Sequence, residues 1–181
     1  MSRLLTKTTK TKLKPLTTSE MELAIAKYFK IRLHIIVPRL SYGFDWIHEC
    51  DLFLIQRNGY AFEVEIKRSK SDLLADFKKG HDHIDRKNRI KKLYFAIPEN
   101  LYESCKDIIP KNAGILVCDK WLHDDGREIV SVCTKRQPIR FKGARKLTIE
   151  EQLKVAKLGT MRIWNLKEKL IKLENLKNLI T

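Results

Sequence analysis

One short segment constrains the fold of this chain more than any other. Residues 60–67 alternate polar and apolar side chains and directly follow Asn58-Gly59, a dipeptide typical of hairpin turns. Strand side chains alternate between two faces, so one face is apolar and the other carries the charged groups of Glu63, Glu65 and Lys67. Burying such groups is costly unless they are paired or bind a metal ion. The segment therefore predicts a strand that brings charged chemistry into the protein interior.

The length of the hairpin loop decides whether Asp51 joins this polar face. Residues 49–56 are rich in apolar residues and predict the partner strand. A two-residue turn would point Asp51 away from Glu65, whereas a three-residue loop over 57–59 places the two carboxylates opposite each other. Three-residue loops commonly end with a residue in the left-handed conformation, which suits Gly59. We therefore expect the three-residue loop, or a bulge with the same effect.

The rest of the chain predicts an α/β fold, because helix and strand patterns alternate along it. Besides the hairpin, the expected elements are helices over 19–30, 69–79 (capped by Ser69 or Ser71) and 101–107, and strands over 31–40, 93–97, 114–118 and 128–133. This order implies a central mixed β-sheet flanked by helices.

A C-terminal amphipathic helical extension is expected to follow this core. Beyond Thr148 the pattern is helical, with Gly159 as the predicted stop. Residues 161–180 then form an amphipathic helix that fits packing on the body or on a second subunit. The expected organisation is a basic N-terminal arm (1–16), a core (17–134), and a basic loop with the helical extension (135–181).

Composition indicates a polyanionic partner. The chain has 37 Lys and Arg against 22 Asp and Glu, which gives a formal net charge of +15. Such an excess favours nucleic acid as the partner. No apolar run is long enough to span a bilayer, and the N-terminus lacks the apolar segment of a secretory signal. We therefore expect a cytoplasmic protein without membrane association.

The charged strand matches what metal-dependent phosphodiester hydrolysis requires. Carboxylates hold hard divalent cations, the ion lowers the pKa of a bound water, and a nearby cation positions the nucleophile or stabilises the phosphate. Asp51, Glu65 and the backbone carbonyl of Ile66 are the candidate ligands of Mg²⁺ or Mn²⁺. Lys67 is the candidate residue that activates or positions water. A purely structural ion pair of Asp51 and Glu65 with Lys67 is the alternative.

This arrangement resembles the PD-(D/E)xK nuclease superfamily. Asp51 matches the acidic residue before the hairpin and Glu65-Ile66-Lys67 the second half-motif, although Cys50 stands where the family name has proline. Many members add an acidic residue from the first helix, for which Glu20 is the matching position and Glu22 the fallback. The resemblance implies a restriction-endonuclease-like core and a Mg²⁺- or Mn²⁺-dependent DNA endonuclease. It assigns the catalytic roles to Asp51, Glu65, Lys67 and Glu20, and adds Glu20 to the metal ligands.

Within that superfamily, the chain is most similar to MmcB-like DNA-repair nucleases and related phage proteins. The similarity rests on residues 65–78 and 93–98, with 48–51 and 113–115 also fitting, and covers about residues 19–118. It implies an enzyme of repair or phage type whose partner is DNA.

Basic residues around the charged strand are the candidate contacts to a phosphate backbone. Lys and Arg neutralise phosphates without reading sequence. The candidates are Arg68, Lys70, Lys78, Lys79, Arg86, Arg89, Arg140 and Lys142. A solvated charged face is the alternative for part of this set.

Two other functions fit the same sequence. The chain could be a catalytically inactive nucleic-acid-binding module that keeps the fold but not the chemistry. It could also be a subunit of a larger DNA-processing complex, joined to a second copy or to a partner protein through the C-terminal helix. Metal-dependent nicking of DNA separates the enzyme from both alternatives.

Overall fold

The computed structural model describes residues 13–40, 50–78 and 89–178. The helices are α1 (Thr18–Tyr28), α2 (Lys70–Lys78), α3 (Tyr102–Cys105), which follows a 3₁₀ turn at Glu99–Leu101, and α4 (Ile149–Asn178). The strands are β1 (Ile35–Leu40), β2 (Cys50–Ile55), β3 (Ala61–Ile66), β4 (Ile90–Pro98), β5 (Gly114–Leu122) and β6 (Glu128–Arg136). Most of the predicted basic arm over 1–16 lies outside the described residues.

The six strands form one mixed sheet in the order β1-β2-β3-β4-β5-β6. β3 pairs with β4 and β4 with β5 in parallel, and the other neighbours pair antiparallel. Helices lie on both faces, and the long helix α4 follows the sheet. The predicted fold class, α/β with a central mixed sheet flanked by helices and a C-terminal helix, is confirmed.

Apolar side chains fill the space between the sheet and its helices. On one face, Met21 and Ile25 of α1 pack with a cluster that includes Val64 of β3. On the other face, Val155 of α4 packs with residues of β1 and β2, and Leu73 of α2 packs with residues of β4 and β5. All six residues of β3 are buried because this strand is covered on both sides.

The β2–β3 hairpin has the predicted three-residue loop. Gln56 and Tyr60 flank it, and the Gln56 N–H donates to the Tyr60 carbonyl at 2.9 Å. Gly59 has a φ of +85°, the left-handed conformation expected at the last loop position. Leu52 pairs with Val64, and this register continued by one residue places Asp51 opposite Glu65.

One predicted boundary near the N-terminus shifts. The strand expected from residue 31 begins at Ile35. The preceding residues form consecutive turns, in which Ile31 donates its N–H to the carbonyl of Ala26 and Leu33 donates to Lys30. These turns use the backbone groups that a longer strand would need.

The prediction that Gly159 ends a helix is wrong, because α4 continues through it without interruption. An added Cβ at Gly159 would lie 3.0 Å from Cγ2 of Val37, so the glycine lets the helix pack closely on β1. Beyond this contact the apolar side chains of α4 are uncovered: Ile163, Leu166, Leu170 and Leu173 are each 55–63% exposed. Among the described residues, no helix is long and apolar enough to cross a membrane.

Candidate functional site

The charged groups predicted from the sequence meet at the end of β3. Glu65 and Lys67 are only 5% and 7% exposed. Asp51 approaches from β2, and its Oδ2 accepts a hydrogen bond of 2.7 Å from the backbone N–H of Ile66. The loop length of the hairpin therefore brings Asp51, Glu65 and Lys67 together, as the sequence predicted.

Lys67 is held by two carboxylates. Its Nζ lies 3.2 Å from Oε2 of Glu65 and 3.3 Å from Oδ2 of Asp76 on α2. The other oxygen of Glu65, Oε1, is buried and accepts no hydrogen bond within the described residues. A buried carboxylate oxygen without a donor is costly, and a bound cation would relieve that cost.

Asp76 is a site residue that the sequence prediction missed. Ser69 caps α2, since its hydroxyl accepts the N–H of Asp72 at 3.1 Å. This cap fixes where the helix starts. Asp76, four residues after Asp72, is thereby turned toward Lys67. The available signal was the spacing: Asp72 and Asp76 lie one helical turn apart, next to the buried Leu73.

The surroundings of the site disfavour the ionised forms of its carboxyl groups. Burial raises the pKa of Asp51 and of Glu65. The hydrogen bond from Ile66 and the charge of Lys67 oppose this effect at Asp51, and Lys67 opposes it at Glu65, but only in part. Nearby acids raise these pKa values further. Asp72 and Asp76 raise that of Asp51. Asp51 and Asp76 raise that of Glu65. Burial alone would lower the pKa of Lys67, but Glu65, Asp76 and Asp51 together raise it. The site thus contains one protonated amine and several carboxylates whose negative charge that single amine does not balance.

The donor set at this site fits a hard divalent cation. Asp51 and Glu65 offer carboxylate oxygens, Ile66 can add its carbonyl, and the buried Oε1 of Glu65 is free of other donors. Within the described ranges, no group of three or more His, Cys, Asp and Glu side chains is arranged to hold a metal ion. A cation here would therefore rest on two carboxylates, with backbone and water completing its shell.

Glu20, predicted to add to the catalytic and metal-binding set, is engaged elsewhere. Its carboxylate accepts hydrogen bonds from the N–H and the hydroxyl of Thr17. The Glu20 N–H donates in return to Oγ1 of Thr17, which completes a capping box at the start of α1. It also bonds Nζ of Lys120 at 2.7 Å. Lys120, with Thr17, lowers the pKa of Glu20 to about 2. None of these contacts involves Asp51, Glu65 or Lys67, so the geometry gives Glu20 a structural role.

The fallback residue Glu22 interacts electrostatically with the site. Burial raises its pKa, Arg39 opposes the effect, and the charge of Asp51 adds to it. The Nε of Arg39 is 3.6 Å from Oε1 of Glu22. Of the two acids considered on α1, Glu22 is therefore the one that interacts electrostatically with Asp51.

The predicted nucleic-acid contacts fall into separate groups. Arg68 directly follows Lys67, and Lys70 is the first residue of α2. The Nε of Arg68 donates to the carbonyl of Leu16 at 3.0 Å. Arg89 is ion-paired with Glu151 at 3.1 Å, which favours a structural role. Arg140 and Lys142 belong to the segment that follows β6, and Arg140 lies close enough to Lys92 of β4 to influence its pKa. Lys79 and Arg86 lie outside the described residues, and Lys78 is described only as the last residue of α2.

Comparison with known proteins supports the fold. No protein-family model matches the chain, and no curated protein matches it. Among solved structures, the chain is similar to the SPO1766 protein of unknown function from Silicibacter pomeroyi, with 15% identity over 90% of this chain and 95% of that chain. The TM-score is 0.57. At this identity the likeness shows the α/β architecture alone, and the resemblance to PD-(D/E)xK nucleases stays a prediction.

Proposed function

We propose that this protein is a Mg²⁺- or Mn²⁺-dependent nuclease that hydrolyses phosphodiester bonds in DNA, as an endonuclease of repair or phage type acting in the cytoplasm. One observation carries the proposal. The buried Glu65 carboxylate has an oxygen without a donor, next to Asp51 and to an ammonium group held by two carboxylates. The chain's net charge of +15 supports a polyanionic substrate.

The residues of the site divide the chemistry between them. Asp51 and Glu65, with the Ile66 carbonyl, would hold the metal ion. When bound, the ion supplies Lewis-acid stabilisation and lowers the pKa of water. The raised pKa of Lys67 keeps its amine protonated, so Lys67 acts as a cation that positions water or the scissile phosphate.

Nicking of supercoiled plasmid DNA tests this proposal. Cleavage should require Mg²⁺ or Mn²⁺, stop with EDTA, and disappear in Glu65→Gln and Lys67→Met. Glu168→Gln is the matched control, because Glu168 lies on the exposed part of α4 and its carboxylate pairs with Lys172 on the same helix. DNA binding measured in EDTA should persist in all three variants. Undiminished cleavage by both site variants would refute the assignment of the site.

A nucleic-acid-binding module without catalysis is the second candidate. It is favoured by the ion pairs of Lys67, which resemble a structural network, and by the small number of metal-binding side chains in the described part of the site. This candidate predicts salt-sensitive DNA binding by the purified protein and no metal-dependent nicking.

The proposal that α4 joins the protein to a second copy or to a protein partner is supported by its uncovered apolar side chains. Sedimentation velocity tests self-association. A monomer at all concentrations would refute the second copy, and Leu170→Lys should abolish any dimer.

A further inference from the structure

A group of lysines and an arginine surrounds two aromatic rings at the far end of β3 from the candidate site. We call Lys91, Lys92, Arg140 and Lys146 the basic cluster. The amines of Lys91 and Lys146 lie 5.0 and 5.7 Å from the ring centre of Tyr60, and that of Lys92 lies 4.6 Å from the ring centre of Phe62. Arg140 contributes to the environment of Lys92 and lowers its pKa, after the larger effect of burial.

The basic cluster is separate from the carboxylates of the candidate site. Phe62 stands near the start of β3, and Lys67 follows its end, which places them roughly 16 Å apart at the rise of an extended strand. Phe62 and Glu65 also point to opposite faces of the sheet, because Phe62 packs in the cluster covered by α1. The same side chain therefore cannot belong to both the basic cluster and the candidate site.

The charge of the basic cluster is not compensated by acids in the described part of the chain. None of its four side chains forms an ion pair there. Other buried or clustered cations do have acid partners: Lys120 binds Glu20 and Glu128, and Arg145 binds Glu151. Four cations gathered without an acid repel one another, and an anion bound among them would relieve that repulsion.

The backbone holds the basic cluster in place. Lys91 and Phe141 are linked in both directions: the N–H of Phe141 donates to the Lys91 carbonyl, and Nζ of Lys91 donates to the Phe141 carbonyl, each at 3.0 Å. The N–H of Leu147 donates to the carbonyl of Gly59 in the hairpin loop at 2.9 Å. The segment that carries Arg140 and Lys146 is thus fixed against both β4 and the hairpin before any ligand binds, which lowers the ordering cost of binding.

We propose that the basic cluster is a second nucleic-acid site, which binds the phosphate backbone of a strand away from the candidate catalytic residues. Cations gathered without acid partners among the described residues match the way nucleic-acid strands are held, by charge along the phosphate backbone. This inference rests on the proposed nucleic-acid substrate but not on cleavage. The site would anchor DNA while Asp51, Glu65 and Lys67 act on another segment.

Fluorescence anisotropy with a labelled DNA duplex in EDTA tests the second site. The double variant Lys92→Gln/Arg140→Gln removes two charges from the basic cluster. Lys157→Gln/Lys169→Gln removes two charges from exposed positions of α4 and is the matched control. The cluster variant should bind at least tenfold more weakly and lower the slope of log affinity against log salt by about 1.8, since each phosphate contact contributes about 0.9. The control should change the affinity less than threefold. Circular dichroism should show both variants folded.

The outcomes separate this inference from the proposed catalysis. Equal weakening by the cluster variant and the control overturns the second site. Cluster-dependent binding by a protein that never nicks DNA supports the second site and refutes the proposed nuclease. Cluster-dependent binding to phosphatidylserine vesicles or to poly-glutamate, with no DNA binding, overturns the inference in favour of a different anion.

Discussion

Lys67, directly after β3, and Asp76, near the end of α2, form an ion pair of 3.3 Å that connects the charged strand to the helix after it. Because burial alone would lower the pKa of Lys67, and Asp76 is one of the groups that raise it, Asp76→Asn should lower that pKa. Nicking should fall by about 10–100-fold, as expected for loss of a group that orients a residue of the site. The alkaline limb of the pH–rate profile should move to lower pH.

Asp72→Asn is the control for this prediction. Asp72 lies on the same helix but accepts its hydrogen bond from the backbone N–H of Arg68 at 3.3 Å and forms no ion pair with Lys67. An unchanged pH profile in Asp76→Asn would mean that Asp76 holds the helix without acting on Lys67.

Mg²⁺ should stabilise the protein through Asp51 and Glu65. At a Mg²⁺ concentration of 100 times Kd, the free energy of unfolding should rise by about 2.7 kcal/mol. For a chain of this size, Tm should rise by about 2–4 °C per kcal/mol. Glu65→Gln should abolish the shift, and Glu168→Gln should keep it.

The same metal effect should depend on pH. Burial raises the pKa of both Asp51 and Glu65, so protons compete with the metal at higher pH than at ordinary carboxylates. The Mg²⁺-induced shift in Tm should therefore shrink as pH falls through those raised values. A shift in Tm that persists unchanged in Glu65→Gln would place the metal elsewhere.

Glu151 should contribute stability that acid removes. Arg145, with the cap at Thr148, lowers the pKa of Glu151 from an ordinary 4.5 to about 2. A carboxyl with a depressed folded-state pKa stabilises the protein above its unfolded pKa and loses that contribution as pH falls from about 4.5 to 2. Glu151→Gln should cost about 1–2 kcal/mol at pH 7, after allowance for solvent screening. Urea denaturation at pH 7 and pH 3 should show this cost shrinking in acid, with Glu168→Gln unaffected.

Gly159 and Val37 should be coupled. Alanine is a better helix former than glycine by about 1 kcal/mol, but its Cβ at position 159 would lie 3.0 Å from Cγ2 of Val37. Gly159→Ala should therefore stabilise the Val37→Ala background by about 1 kcal/mol and the unmodified protein by less. A double-mutant cycle in urea measures the difference, and additivity would show that the contact carries no constraint.

The sequence predicted the elements whose cause is local. The three-residue loop followed from Gly59, and the start of α2 followed from the candidate caps Ser69 and Ser71, of which Ser69 is the one used. Each depends on one backbone conformation or one cap. The prediction for Gly159 was wrong because the sequence alone does not distinguish a glycine that ends a helix from one that lets a neighbouring strand pack closely against the helix. Glu20 was matched to the site through the resemblance, in which many members add an acidic residue from the first helix. Its partner Lys120 is a hundred residues away, and only the fold brings the two together.

The loop 57–59 also limits how this protein can change over generations. Exposed polar loops are where chains most readily gain or lose residues. Here the loss of one residue would shift the pairing register by one, and every side chain of one strand would move to the opposite face of the sheet. Asp51 would turn away from Glu65 even though no residue of the site had changed. Selection on this loop should therefore preserve an odd number of residues, and residue identity should be constrained mainly at Gly59.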